Sequence, residues 1–274
     1  MSAPEGFLEE PFRSLWAGSD PFVAVESLQG KIFRELEGRR TLRTEVAGKG
    51  YFVKIHRGVG WAEIAKNLLT LRLPVLGAEN EWRAIRRLGE LGVDTMRAVA
   101  FGQRGENPAR QRSFLITEEL APTISLEDFC RDWAKTPPPV RLKRALIRRV
   151  AEMARKLHSG GVNHRDFYLC HFLLHLDPTP TAARLRLSLI DLHRAQVRAR
   201  TPARWRDKDL AALHFSALGI GLTQRDLLRF LAVYFARPLR SVLRDEAPLL
   251  ARLARAVPRL QERYVRKFAN RDAR

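Results

Sequence analysis

The sequence predicts an α+β chain in two lobes, with a small antiparallel sheet and one main helix in the first lobe and mostly helices in the second. Short runs of alternating apolar and polar residues, separated by glycine-containing turns, fill most of the first part of the chain. After Leu120 the apolar residues recur at helical spacing over long segments. We therefore place an N-terminal lobe at residues 1–119 and a C-terminal lobe at residues 120–274.

The N-terminal lobe begins with an irregular segment over residues 1–20, where prolines and a glycine interrupt any periodic pattern. From Phe22 to Ile55 the pattern is strand-like, and the runs GKIFREL, TLRTEV and YFVKIH predict three antiparallel strands. The segment AENEWRAIRRLGELG predicts an amphipathic helix that ends near Gly92. The runs MRAVAFG and SFLITEEL predict two further strands.

A second amphipathic segment, GWAEIAKNLLTLRLPVLG, lies between the third strand and the main helix. Its spacing predicts an inserted helix over about residues 61–73, with Trp61 and leucines on one side and basic residues elsewhere. Two interpretations stay open. The helix faces membrane lipid, or it packs on the N-terminal lobe.

The C-terminal lobe begins with a short helix in SLEDFCRDWAK, for which Ser125 is a suitable N-cap. VRLKRALIRRVAEMARKLHSGG predicts a long amphipathic helix closed by Gly160 and Gly161. Two short apolar runs, within FLLHL and LRLSLIDLH, predict a small hairpin. Helices follow from about Asp207 to the end of the chain.

Composition and charge limit the functional classes. The 274 residues include 49 Lys and Arg against 30 Asp and Glu, for a net charge of +19, which attracts polyanions. No apolar run approaches the ~20 residues needed to span a bilayer, no secretory signal is recognisable, and two cysteines give no disulfide framework. We expect a cytoplasmic protein.

The basic surface is also compatible with binding to nucleic acid, but no zinc-finger spacing, RNP-type motif or basic-region heptad supports specific nucleic-acid binding.

One set of residues is typical of phosphoryl transfer. Lys54 lies near the end of a strand, Glu81 lies in the next long helix, and the run His164-Arg165-Asp166 follows a helix and two glycines. Asp191 comes after two short apolar runs. This order resembles the protein-kinase set, in which a strand lysine holds ATP phosphates, a helix glutamate holds the lysine, and two aspartates position the acceptor hydroxyl and Mg²⁺.

The resemblance assigns a role to each of these residues. Asp166 is the expected general base, and His164 and Arg165 are expected to support its loop. Lys54 is the expected phosphate clamp with Glu81 as its partner, although Glu79 is an alternative. Asp191 follows a buried strand, where a lone carboxylate is costly without a cation, and is therefore the expected metal ligand.

Three features depart from the kinase pattern, namely two histidines and a missing glycine-rich loop. His171 stands where kinases have an asparagine, and it either binds metal or phosphate or only forms a hydrogen bond. His193 replaces the glycine after Asp191. No G-x-G-x-x-G loop is present, so we expect phosphate contacts from the backbone and from Lys31 or Arg39. A zinc site near His171 is disfavoured, because no second cysteine pair accompanies Cys170 and His175.

Nearly the whole chain resembles the lipopolysaccharide core heptose(I) kinase family of Gram-negative bacteria. The resemblance is carried by NHRDFYLCHFLLHL, IDLHRAQ, RWRDKDLAALHFSALGIGLTQRDLLRFLAVYF, KNLLTLRLPVLGAENEW and EPFRSLWAGSDPF. It implies an ATP-dependent kinase that phosphorylates the first heptose of the lipid A–core glycolipid at the cytoplasmic face of the inner membrane. The negative charges of the lipid A phosphates and of the acidic Kdo sugars would then account for the basic surface.

Alternatives remain in other classes. The chain could phosphorylate another sugar or a protein, could bind polyanions without catalysis, or could be a pseudokinase scaffold, which the presence of Lys54, Asp166 and Asp191 together disfavours. The arginine-rich segments near 141–155 and 240–267 either dock anionic lipid or an acidic partner such as an acyl carrier protein, or are solvated helix faces.

Overall fold

The computed structural model describes residues 5–36, 38–58, 60–61, 69 and 77–272. The chain divides into two compact units, each of which is built from separate stretches of chain. The first unit comprises Met1–Arg86, Met96–Leu120 and Leu192–Arg194, and the second comprises Arg87–Thr95, Ala121–Asp191 and Ala195–Arg274.

The first unit is built on a six-stranded sheet in which every pair of neighbouring strands is antiparallel. Its strands are β1 (Glu5–Leu8), β2 (Lys31–Leu36), β3 (Arg39–Val46), β4 (Lys49–His56), β5 (Ala98–Arg104) and β6 (Arg112–Glu118), in the order β1-β5-β6-β4-β3-β2. The predicted strands are therefore confirmed.

Two elements at the start of the chain differ from the prediction. The segment expected to be irregular contains β1 and a short helix, α1 (Phe12–Leu15). The beginning of the strand-like stretch is a helix, α2 (Pro21–Ser27), because the Asp20 carboxylate accepts a hydrogen bond from the Phe22 amide at 2.9 Å and caps it. Both helices place aromatic rings in the core beneath the sheet.

The main helix of the first part of the chain, α3 (Glu79–Glu90), is confirmed. It buries Ala84, Ile85 and Leu88, and the Trp82 ring stacks on Phe101 with 4.4 Å between centroids. The inserted helix predicted over about residues 61–73 lies almost wholly outside the described residues. Within it only Trp61 and Leu69 are described, and both are helical and exposed.

The second unit is mostly helical. Its helices are α4 (Leu126–Phe129), α5 (Val140–Ser159), α6 (Ala203–Ser216), α7 (Gln224–Phe235), α8 (Leu239–Asp245) and α9 (Ala247–Asp272). The short strands β7 (Thr123–Ser125), β9 (Phe172–His175) and β10 (Leu187–Leu189) form one antiparallel sheet, and β8 (Val162–Asn163) pairs with β11 (Gln196–Val197). None of the described helices is both long enough and apolar enough to cross a bilayer.

The helices of the second unit enclose a cavity of about 260 Å³. Side chains from α5, α6, α7 and α9 line it, and most of them are apolar, such as Leu146, Leu213 and Leu250. Cys130 also lies in its wall, where burial raises the pKa of the thiol to about 12. The cavity therefore offers an apolar environment of the kind that holds hydrocarbon groups.

Candidate functional site

In the first unit, Lys54 and Glu81 form a buried ion pair. Lys54 alternates along β4 with the buried Val53 and Ile55, and its Nζ lies 2.7 Å and 2.9 Å from the two carboxylate oxygens of Glu81. Glu81 lies in the first turn of α3, where the helix dipole favours an acid, and its side chain is only 2 % exposed. The alternative, Glu79, instead pairs with Arg83 at 2.6 Å. The arrangement holds one ammonium group at a fixed point above the sheet.

In the second unit, the loop after β8 is organised by His164. This ring is fully buried, and its Nε2 donates a hydrogen bond to the Ile190 carbonyl at 2.9 Å, while Nδ1 accepts one from the Asp166 amide at 3.3 Å. Burial, the largest cause, lowers the pKa of His164. The ring is thus neutral and ties the loop that carries Asp166 to the end of β10, just before Asp191.

Asp209 of α6 anchors the same loop, and sequence reasoning missed it. This carboxylate is 1 % exposed and accepts hydrogen bonds from the backbone amides of His164 at 2.6 Å and Arg165 at 2.8 Å. His158 Nε2 lies 3.3 Å from it, and the other ring nitrogen of His158 is 2.8 Å from the Tyr234 hydroxyl. One signal was available, because Asp209 opens the buried helical run Asp209–Leu213, where an aspartate is costly unless hydrogen-bonded.

The backbone at Arg165 is in the left-handed region, with φ 74°. A residue with a Cβ adopts this conformation at a cost of about 1 kcal/mol, so its surroundings must hold it there. The Arg165 amide bonded to Asp209 supplies that restraint. Asp166 follows directly, and its carbonyl accepts hydrogen bonds from the Tyr168 amide at 3.0 Å and from the His171 ring at 2.6 Å. The loop thus holds Asp166, half-buried, in one backbone conformation.

The hairpin of β9 and β10 brings His171 and Asp191 together. His171 precedes β9 and Asp191 follows β10, and the pairing of Phe172 with Leu189 places both at the same end. His171 Nδ1 donates to the Asp166 carbonyl, which leaves Nε2 facing a carboxylate oxygen of Asp191 at 3.4 Å. In the neutral form of His171, the Nε2 lone pair lies close enough to this carboxylate oxygen for the two to share a cation.

The donor set decides which cation fits. Asp191 supplies the carboxylate oxygen that Mg²⁺ prefers, and His171 supplies a softer second ligand. The described part of the chain contains no cluster of three or more His, Cys, Asp or Glu side chains arranged around one metal ion. The pair offers two donor atoms, so a cation held there would need its remaining ligands from elsewhere.

His193, where kinases have glycine, belongs to the first unit. Its carbonyl accepts a hydrogen bond from the Asn80 side chain at 2.9 Å, which ties this segment to the start of α3 one residue before Glu81. The β2–β3 hairpin stands in place of a glycine-rich loop. β2 is exposed along its length, and Lys31 lies over the Phe33 ring, 5.4 Å from its centroid.

Comparison with known proteins gives one family over most of the chain. Residues 23–234 match the model of the lipopolysaccharide kinase (Kdo/WaaP) family. The lipopolysaccharide core heptose(I) kinase WaaP of Pseudomonas aeruginosa is 68 % identical over 259 residues, which cover 94 % of this chain and 97 % of the relative. Its namesake from Escherichia coli is 59 % identical over 260 residues, covering 95 % and 98 % of the two chains.

A solved structure described as WaaP in complex with acyl carrier protein is also similar. It aligns with a TM-score of 0.84 at 62 % sequence identity, and the alignment covers 93 % of this chain and 99 % of that one. The predicted fold class is confirmed by this likeness. With a family model matched over most of its length and relatives of this identity, the chain belongs to the lipopolysaccharide kinase (Kdo/WaaP) family.

Proposed function

We propose that this chain is an ATP-dependent kinase that phosphorylates the first inner-core heptose of the lipid A–core glycolipid. The observation that carries the proposal is the 68 % identity, over 94 % of the chain, to a protein named lipopolysaccharide core heptose(I) kinase. The buried Lys54–Glu81 pair and the braced loop of Asp166 support it, because phosphoryl transfer depends mainly on positioned charges.

Each of the residues described above takes one role in this reaction. Lys54, fixed by Glu81, binds the phosphates of ATP. Asp166 orients the heptose hydroxyl and accepts its proton as the hydroxyl oxygen attacks the γ-phosphorus in line and the bond to the β-phosphate oxygen breaks, which releases ADP. His164 and Arg165 support the loop. Asp191, with His171 as a second ligand, would hold Mg²⁺, which neutralises phosphate charge when bound.

The acidic protein partner is an acyl carrier protein. The similar structure described as a complex with acyl carrier protein supports this, as does the net charge of +19. Acyl carrier proteins are acidic and present a fatty acyl chain, and the apolar cavity of the second unit is suited to receive such a chain. We expect an acylated carrier protein to raise the melting temperature of the kinase and the unacylated carrier to raise it much less. Equal shifts in melting temperature with the two carriers would show that the carrier protein binds without placing its acyl chain in the cavity.

The site of action is the cytoplasmic face of the inner membrane, where the protein is peripheral. The excess of 49 Lys and Arg over 30 Asp and Glu favours contact with anionic phospholipid headgroups and with the phosphates of lipid A. On this surface the enzyme would meet its acceptor.

The decisive experiment follows ADP release with Mg²⁺, ATP and purified acceptors. We expect turnover with lipid A–core that ends in unphosphorylated heptose, and mass spectrometry of the product should place the added phosphate on the first heptose. A lipid A–Kdo acceptor without heptose is the control and should support no turnover. Turnover with the heptose-free acceptor, or with a protein acceptor in its place, would contradict the assignment of the substrate.

A further inference from the structure

Three cationic side chains surround a single indole ring beside the catalytic loop. Trp205 lies in the first turn of α6, and its ring centroid is 4.5 Å from Lys208 Nζ, 4.9 Å from the Arg204 guanidinium carbon and 5.3 Å from the Arg165 guanidinium carbon. Cation–π attraction holds each cation over the ring, but each exposed contact contributes little. Arg204 and Lys208 carry like charges beside one ring and repel each other, so an anion bound near them would relieve the repulsion.

The nearby acids do not neutralise Arg204 and Lys208. Within the part of the chain that the structure describes, no carboxylate forms an ion pair with Arg204 or Lys208, and both side chains are exposed. The acid between them in sequence, Asp207, is engaged by Arg206 at 3.0 Å and by Arg252 at 2.8 Å. The first turn of α6 contains no acidic residue, and the positive end of the helix dipole adds to the field.

A fourth cation lies in the same field. The Arg198 guanidinium donates to the side-chain oxygens of Asn163 and Gln196, both at 2.7 Å, and these amides carry no charge. Burial and the positive charge of Arg204 lower the pKa of Arg198. The surroundings of Arg204 are thus positive on this side too.

The cluster shares its support with the catalytic loop. Asp209, one helical turn after Trp205 in α6, accepts the backbone hydrogen bonds of His164 and Arg165. Arg165 immediately precedes Asp166, and its side chain contacts Trp205. An anion bound to this cluster would therefore be held at a fixed position with respect to the Asp166 backbone.

We propose that Arg165, Arg204 and Lys208, gathered around Trp205, form a binding site for an oxyanion of the acceptor, either a carboxylate or a phosphate group. The site fixes the acceptor so that its hydroxyl meets Asp166. This inference rests on the proposed function, since it assumes an acceptor that carries such groups. Guanidinium and ammonium groups bind both oxyanions through charge-assisted hydrogen bonds.

The test is the double variant Arg204→Gln/Lys208→Gln, with Arg184→Gln as the matched control that removes an exposed positive charge from the same unit. We expect the KM for the glycolipid acceptor to rise at least about tenfold in the double variant, because it loses charge-assisted hydrogen bonds. The KM for ATP should stay within about twofold, and Arg184→Gln should match the wild type. The charge reversal Lys208→Glu should raise the acceptor KM further. An unchanged acceptor KM in these variants would overturn the proposal.

Modified acceptors identify the group that is bound. Carboxyl-reduced and dephosphorylated glycolipids are compared between the wild type and the double variant as a thermodynamic cycle. If the cluster binds the carboxylate, its reduction raises the wild-type KM but adds nothing in the variant, and the phosphate arm is read in the same way. Additive effects of both modifications would overturn the proposal. Absence of any acceptor-dependent turnover in the wild type would instead contradict the proposed function itself.

Discussion

Replacing Asp166 with alanine is expected to lower kcat by about 10²–10⁴-fold, the range that loss of a general base produces. The loop should keep its conformation, because the His164 ring and the Asp209 carboxylate both restrain it. The KM for ATP should therefore change little. Single-turnover measurement of phosphoglycolipid formation separates the chemical step from product release.

Two further variants make this result specific. Asp166→Asn keeps the shape of the side chain but cannot accept the proton, so it should fall within the same range as Asp166→Ala. Asp132→Asn, which alters an exposed aspartate in the same unit, should retain the wild-type rate. If Asp166→Asn turned over like the wild type, the base would be another group while the kinase activity would stand.

Replacing Lys54 with methionine is expected to destabilise the protein by about 3–5 kcal/mol, because it leaves a buried carboxylate without its cation. Glu81 is 2 % exposed and both of its carboxylate oxygens lie within 2.9 Å of Lys54 Nζ. Urea unfolding followed by circular dichroism measures the loss. Arg83→Met is the control, since it breaks an exposed pair with Glu79 on the same helix, and it should cost no more than about 0.5 kcal/mol.

The double variant Lys54→Met/Glu81→Gln separates stability from function. Removing both charges takes away the uncompensated carboxylate, so most of the lost free energy of unfolding should return. Phosphate binding should not return, because the ammonium group is still absent. A double variant with wild-type KM for ATP and wild-type kcat would show that Lys54 has no role as a phosphate clamp.

Strands and helices whose apolar residues recur at regular spacing could be predicted from the sequence. Elements that form only by contact with distant parts of the chain could not. β4 was predictable because Tyr51, Val53 and Ile55 alternate with less buried residues. β1 was not, because a run of only four residues becomes a strand only by pairing with β5. α2 was mistaken for a strand, although Asp20 followed by Pro21 is a helix-start signal.

The same division holds at the candidate site. Lys54, Glu81 and Asp191 could be selected as candidates from their positions relative to predicted strands and a helix, and the structure pairs Lys54 with Glu81. Asp209 was missed because its partners are the backbone amides of residues 164 and 165. No pattern in the sequence around Asp209 indicates a contact with that distant segment. The cation cluster at Trp205 was missed for a similar reason, since Arg165 reaches the ring only through the folded loop.

The assignment of chain segments to the two units has a consequence for synthesis. The first unit includes Leu192–Arg194, whose His193 carbonyl is bonded to Asn80, and the second includes Arg87–Thr95, where the Thr95 hydroxyl donates to the Leu189 carbonyl at 2.6 Å. A ribosome synthesises the chain from the N-terminus onward, so N-terminal segments are available to fold first. The first unit therefore lacks Leu192–Arg194 until long after the strands of its sheet have been synthesised. A fragment ending near Glu119 would contain Arg87–Thr95 of the second unit and would lack Leu192–Arg194 of the first.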